Sequence, residues 1–205
     1  MSVKALFFDV DTQHDLIDPD GKMPVPNARR IVANLRRLTE FAVEHHIPIL
    51  SSADAHPRRD PEFGVFGEHC IPGTPGQKKI DETTAEKREV VDPERLDQQI
   101  ERLARDEAAQ LIIHKQSLDV FDTPMTEQIL SALEPERVYV YGVPTEYCVL
   151  RTVLGLRRYG YEVTVVSDAV RADDESAGKA AAAHMLTSGA KFADTQAVLK
   201  KAAQT

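Results

Sequence analysis

Apolar residues follow two rhythms along the chain. Short, nearly continuous runs recur at 3–10, 47–52, 111–114, 137–141 and 162–167. Their length, their β-branched and aromatic content and the turn residues around them predict strands buried on both faces. Between them, apolar positions repeat at helical spacing, as with Ile31, Leu35, Leu38 and Ala42 inside 28–46. Similar stretches cover 93–109, 126–133 and 146–159, followed by an alanine-rich segment over 173–188 and a short edge strand at 190–193. Asn27 stands where an N-cap of the first helix belongs. Strands separated by helices require crossovers, which are right-handed and give parallel pairing with helices on both faces. The chain is therefore predicted to form one Rossmann-like, three-layer α/β domain over residues 1–205 with a mainly parallel sheet. One stretch breaks the rhythm: residues 53–89 are long, rich in Pro and Gly and without clear period. Loops of that length in a compact domain are usually functional.

Composition narrows the partners. The 205 residues carry a net charge of −8, and Lys and Arg are scattered rather than gathered in a stripe, which argues against nucleic acid. No apolar run reaches the length of a membrane span, and the start Met1-Ser-Val-Lys lacks the pattern of a secretion signal, so a cytoplasmic protein without a membrane partner is expected. Two cysteines, Cys70 and Cys148, make no disulfide framework. The first strand is not followed by Gly-x-Gly-x-x-Gly, so dinucleotide binding has no support.

In parallel α/β sheets the ligand lies beyond the carboxyl ends of the strands. Asp11, Asp54, Lys115 and Cys148 all fall at such ends. Taken singly, each has a plain alternative: the aspartates as loop or helix caps, Lys115 as a solvated strand end, Cys148 as an inert core atom. Their convergence is what marks a site. Cys148 follows the break Gly142-Val-Pro-Thr and is placed in the first turn of a helix, where free amides and the helix dipole should favour a thiolate. In the long loop, Asp54-Ala-His56 is followed by His69, an oxygen and nitrogen set that suits Zn²⁺, Fe²⁺ or Mn²⁺. An Asp-x-His pair alone is more often polar loop chemistry. His114 should point away from Lys115 across its strand, and His14, His45, His46 and His184 read as surface residues.

Three motifs, Val10-Asp-Thr-Gln-His-Asp15, Lys115 closing an apolar strand, and Gly142-Val-Pro-Thr-Glu-Tyr-Cys-Val149, together resemble the isochorismatase-like cysteine hydrolases from the first strand to about Ala172. The resemblance implies a catalytic triad of Asp11, Lys115 and Cys148. The Asp54, His56, His69 set is similar to the metal site of the nicotinamidase-like branch, with Glu62 where the family offers a further ligand. Phe66 matches a position that lines the substrate ring, Leu16 stands where relatives usually carry Phe, and Phe121 is a further candidate wall. The family builds part of an oxyanion hole on a cis peptide, using the amide four residues before the cysteine. Here that residue is Pro144, which favours a cis Val143–Pro144 bond but has no N–H, leaving Thr145 or Tyr147 as candidate substitutes.

The implied activity is a metal-assisted amidase, nicotinamide to nicotinate and ammonia through a thioester, placing the protein in NAD salvage. The implied cofactor is a divalent metal, zinc first with iron or manganese open, and the implied partners are a small-molecule amide and further copies of the chain. Another amidase or hydrolase of the family, for example one acting on a carbamoyl compound, remains open. So does a non-catalytic metal- or ligand-binding relative. Isochorismate hydrolysis is disfavoured, because those relatives do not need the Asp54, His56, His69 set.

Overall fold

The computed structural model describes residues 2–204. Chain order gives strand β1 (Leu6–Val10), helices α1 (His14–Ile17) and α2 (Val32–Glu44), strand β2 (Ile49–Asp54), helix α3 (Phe63–Phe66) and strand β3 (Arg88–Val90). Then follow α4 (Leu96–Ala104), β4 (Gln110–Lys115), α5 (Pro124–Leu133), β5 (Val138–Gly142), α6 (Leu150–Arg158), β6 (Val163–Val170), α7 (Glu175–Thr187), β7 (Lys191–Ala193) and α8 (Thr195–Ala202). The seven strands form one sheet in the order β3-β4-β2-β1-β5-β6-β7, and every pairing is parallel.

Period-two alternation divides the core. Leu6, Phe8 and Val10 of β1, with Val138 and Val140 of β5, face a layer built from α4, α5, α6 and α7, where Ile100, Ile129, Val153 and Met185 are buried. Phe7, Tyr139 and Tyr141 face the opposite layer, with Leu16 of α1, Leu35 and Leu38 of α2 and Val198 of α8. Phe7 meets both tyrosine rings edge to face. The order of strand addition reverses at the middle of the sheet: β1 is flanked by β2 on one side and β5 on the other. A crevice opens at such a reversal, and ligands bind there.

Several local expectations differ from what is found. Residues 53–89 are not without structure: they hold α3, two 3-10 turns (Pro75–Gln77 and Asp81–Thr83) and the edge strand β3, each too short to show a period. The helix expected over 93–109 is confined to α4, and α8 was not anticipated, although Asp194 caps it by accepting from the Ala197 N–H at 2.8 Å. Asn27 does not cap: its backbone is left-handed, its side chain makes no capping bond, and a 3-10 turn (Ala28–Ile31) precedes α2. Cys148 sits in a π-helical turn (Thr145–Val149) that leads into α6, rather than in an ordinary α-helical first turn. Gly142 closes β5 with φ +122°, and a Cβ there would lie 2.0 Å from the Val10 carbonyl oxygen. Only glycine fits this approach of β5 to β1.

Candidate active site

Four adjacent strands deliver four side chains to one edge. Lys115 ends β4 and is paired in register with Asp54 at the end of β2, Asp11 follows β1, and Cys148 follows β5. All four are buried. Lys115 is the hub: its Nζ donates to Asp54 Oδ1 at 2.5 Å and to the Ser117 carbonyl at 3.0 Å, pairs with Asp11 Oδ2 at 2.9 Å, and lies 3.5 Å from Cys148 Sγ. Asp11 adopts φ +49°, a left-handed conformation that aspartate tolerates better than most residues. Its Oδ1 accepts from Ser52 Oγ at 2.7 Å.

The charges tune one another. Burial would raise Asp54, but the Lys115 ammonium and bonds from His56 and Lys115 outweigh it and hold its pKa at about 2. Asp11 goes the other way: burial raises it and the neighbouring Asp54 adds to that, more than Lys115 lowers it. Burial weakens the charged form of Lys115, yet two carboxylates keep the ammonium protonated well above its ordinary range. The thiol of Cys148 is raised, first by burial, with Asp11 and Asp54 adding to it against Lys115. The expected ready thiolate is therefore corrected. The π-helical turn explains why its end gives little help: the Tyr147 and Val149 amides both donate to the Pro144 carbonyl, at 3.3 and 3.2 Å. A neutral thiol beside a carboxylate of raised proton affinity is a nucleophile and its general base.

The Val143–Pro144 peptide is cis. Neither substitute amide is turned to the sulfur, since the Thr145 N–H donates to the Arg171 carbonyl at 2.9 Å and the Tyr147 N–H is held by Pro144.

Asp54 also belongs to a second group. One ligand atom each from Asp54, His56 and His69 lies within 4.8 Å of the others. His56 Nε2 is 3.7 Å from Asp54 Oδ1 and 3.9 Å from Glu62 Oε1. Both Nε2 atoms, of His56 and of His69, are buried without a hydrogen-bond partner. Each ring is fixed from behind: His56 Nδ1 bonds to Asp60 Oδ2 at 3.0 Å, and His69 Nδ1 donates to the Gly67 carbonyl at 2.9 Å. Two buried imidazole nitrogens converging unpaired on a carboxylate fit a divalent cation, whose coordination would repay their burial. Phe63 packs edge-on against both rings.

A narrow cleft, open to solvent at its mouth, joins the two groups. Asp54, Glu62, Phe66, His69, Pro144 and Cys148 line it, with Met23, Val25, Leu118, Tyr147 and Asp173 around them. Phe66 and Tyr147 meet edge to face across one wall. Two expected walls lie elsewhere. Leu16 is fully buried in the α2 layer because α1 turns it inward. Phe121 stacks on Tyr159 and fills the space above Gly155. His114 points to the far side of β4, beside Gln77. His45, His46 and His184 are exposed, and His14 pairs at the surface with Asp18.

Some supporting residues escaped the sequence reading. The Gln13 side chain pairs with the Asp54 backbone, accepting from its N–H at 2.7 Å and donating to its carbonyl at 2.8 Å. Asp15 accepts from the Cys70 N–H at 2.7 Å, fixing the turn that presents His69. Both follow Asp11 within the first motif, which was the available signal. Asp60 and Phe63 lie near His56 in the long loop, where nothing in the spacing distinguishes them.

Fold and site define the class, an α/β enzyme with a lysine-linked cysteine and aspartate at the carboxyl edge of a parallel sheet. The isochorismatase domain matches residues 5–197, and the chain belongs to this family of hydrolases. It is 27% identical over 185 residues to the nicotinamidase of Escherichia coli, covering 83% of this chain and 84% of that protein. The pyrazinamidase of Pyrococcus horikoshii, solved in complex with zinc, superposes with a TM-score of 0.76 at 26% identity, over 94% of this chain and 99% of the other. The Bacillus subtilis nicotinamidase/pyrazinamidase shares the fold at a TM-score of 0.77 and 20% identity, over 94% and 100% of the two chains. Among the described residues no helix is long and apolar enough to cross a membrane.

Proposed function

We propose that the protein is a metal-assisted cysteine amidohydrolase whose substrate is nicotinamide. The observation that carries the reading is that one cleft is lined both by Cys148 and by Asp54, His69 and Glu62 of the metal-ligating group. A thiol and an electrophilic site for a ring nitrogen then face the two ends of one flat amide. Phe66 and Tyr147 supply the apolar walls such a ring needs. The zinc complex of the Pyrococcus horikoshii relative supports the same ligand chemistry.

Cys148 Sγ attacks the carboxamide carbon as Asp11 takes the thiol proton, giving a tetrahedral oxyanion next to the Cys148 amide. Asp11 returns that proton to the leaving nitrogen, the C–N bond breaks, and ammonia departs from a thioester. Water, deprotonated by Asp11, attacks the thioester carbon. The C–S bond then breaks and Cys148 recovers its proton from Asp11, releasing the carboxylic acid. Lys115 holds Asp11 beside the sulfur and balances its charge while the proton moves. Asp54, His56, His69 and Glu62 would hold a divalent ion, zinc in first place with iron or manganese as alternatives, which when bound supplies a Lewis acid for the pyridine nitrogen.

The test is ammonia release from nicotinamide by zinc-loaded protein, with Cys148→Ala and chelated protein as controls. Release lost in both controls supports the reading. No release from loaded protein whose Cys148 still reacts with an electrophile refutes nicotinamide as substrate.

A further inference from the structure

The ligating side chains are held by a residue that lies outside the ligand set. We infer that Asp60 is the positioning residue of the metal group, setting the ring orientation of His56 and the backbone of Glu62 together; the inference rests on the metal-site reading above. One carboxylate serves both. Its Oδ2 lies 3.0 Å from His56 Nδ1, and its Oδ1 accepts from the Glu62 N–H at 2.8 Å. A carboxylate only accepts, so the His56 ring places its proton on Nδ1 and turns Nε2 inward. That Nε2 is the buried, unpartnered atom 3.7 Å from Asp54 and 3.9 Å from Glu62. The Asp60 carboxyl is itself only 8% exposed and the His56 ring is fully buried, so water is a poor replacement for the bond. Phe63 closes the other side of the ring, leaving Asp60 as its polar anchor.

The geometry has a local origin. Asp60 and Pro61 open a tight turn in which the Phe63 N–H returns to the Asp60 carbonyl at 3.2 Å and the Phe66 N–H to Glu62 at 3.1 Å. That turn becomes α3. The side chain of Asp60 ties the start of the turn to His56, four residues earlier, so the segment carrying Glu62 and Phe66 is registered on the imidazole. Carboxylates bound behind a ligating histidine fix its tautomer and raise its basicity, and their loss typically weakens metal binding about 10- to 100-fold.

The experiment titrates Zn²⁺ into metal-free protein against a chromophoric competing chelator. It compares wild type, Asp60→Ala, Asp60→Asn and, as a charge-loss control, Glu68→Gln in the exposed part of the same loop. Thermal melting of each metal-free form separates site effects from folding. The expected result is about a 10- to 100-fold loss of affinity in Asp60→Ala. Asp60→Asn keeps one acceptor oxygen where two bonds need one each, so it should lose less affinity than Asp60→Ala and still bind clearly more weakly than wild type, and Glu68→Gln should match wild type. The visible spectrum of bound Co²⁺ should change in Asp60→Ala and return toward wild type in Asp60→Asn. If Asp60→Ala does not fold, Asp60→Asn decides alone: affinity and Co²⁺ spectrum identical to wild type overturn the inference. Zinc affinity within twofold of wild type in a folded Asp60→Ala overturns it as well. Failure of the wild type to bind zinc removes the metal-site reading itself, a result distinct from tight binding that ignores Asp60.

Discussion

Replacing Lys79 with methionine tests how much of the stability rests on a buried charge outside the active site. Lys79 Nζ donates to Asp9 Oδ2 at 2.5 Å and to Thr12 Oγ1 at 2.7 Å, and both side chains of the ion pair are almost wholly buried. Asp9 lies in β1, and Lys79 in the loop that pairs with Gln13 through an isolated antiparallel bridge, so the pair fastens the long loop to the central strand. In Lys79→Met, Asp9 keeps only the Thr12 hydroxyl at 2.9 Å and the Ser51 hydroxyl at 3.3 Å. Breaking a buried pair from one side costs about 3–5 kcal/mol. Two hydroxyls still donate to the Asp9 carboxylate and offset part of its lost partner, so we expect a loss near the lower figure, about 3 kcal/mol. For a domain of this size that lowers Tm by roughly 6–12 °C. Removing both charges in Asp9→Val/Lys79→Met should restore stability to within about 1 kcal/mol of wild type, because an apolar pair avoids desolvation altogether. Urea denaturation of chelated protein measures all four corners of the cycle without metal linkage. A single variant that loses less than about 1 kcal/mol, or a double variant that loses the sum of its singles, would refute the reasoning.

Other substitutions address the site and its frame. Asp11→Asn keeps the shape of the side chain but cannot accept the thiol proton. Ammonia release should fall about 10²- to 10⁴-fold with little change in melting, and full activity would remove Asp11 as the base. Because burial raises the Cys148 thiol, alkylation of Cys148 in metal-free protein should still be accelerating at about pH 10, where a free thiol has levelled off. A plateau near neutrality would show that the sulfur is an activated thiolate. In Gly142→Ala, the added Cβ meets the Val10 carbonyl in a backbone conformation hostile to L residues. The expected cost is at least about 2 kcal/mol, read by denaturation, and a neutral result would mean that β5 ends differently.

What the chain determined by itself is the part that depends on local pattern. Continuous apolar runs split by amphipathic segments admit one economical packing, a parallel sheet covered on both faces, and the sheet has that form. The residues following those runs were likewise legible, since Asp11, Asp54, Lys115 and Cys148 must emerge at a common edge once the strands are parallel. Strand order was decided only in three dimensions, and it sets β4, β2, β1 and β5 side by side so that one ammonium reaches three partners. Protonation was decided there as well. A helix terminus argues for a thiolate, whereas burial and two carboxylates argue more strongly for a thiol, and desolvation is a property of the packed site rather than of sequence neighbours. Side-chain direction separated the ring-lining candidates: Phe66 faces the cleft, while Leu16 turns into the core and Phe121 stacks on Tyr159. The supports that give the site its precision, Gln13, Asp15, Asp60 and the Asp9–Lys79 pair, are polar residues whose partners lie on other strands or across loop turns. No periodicity encodes such pairs, and only the closed fold brings their atoms within bonding distance.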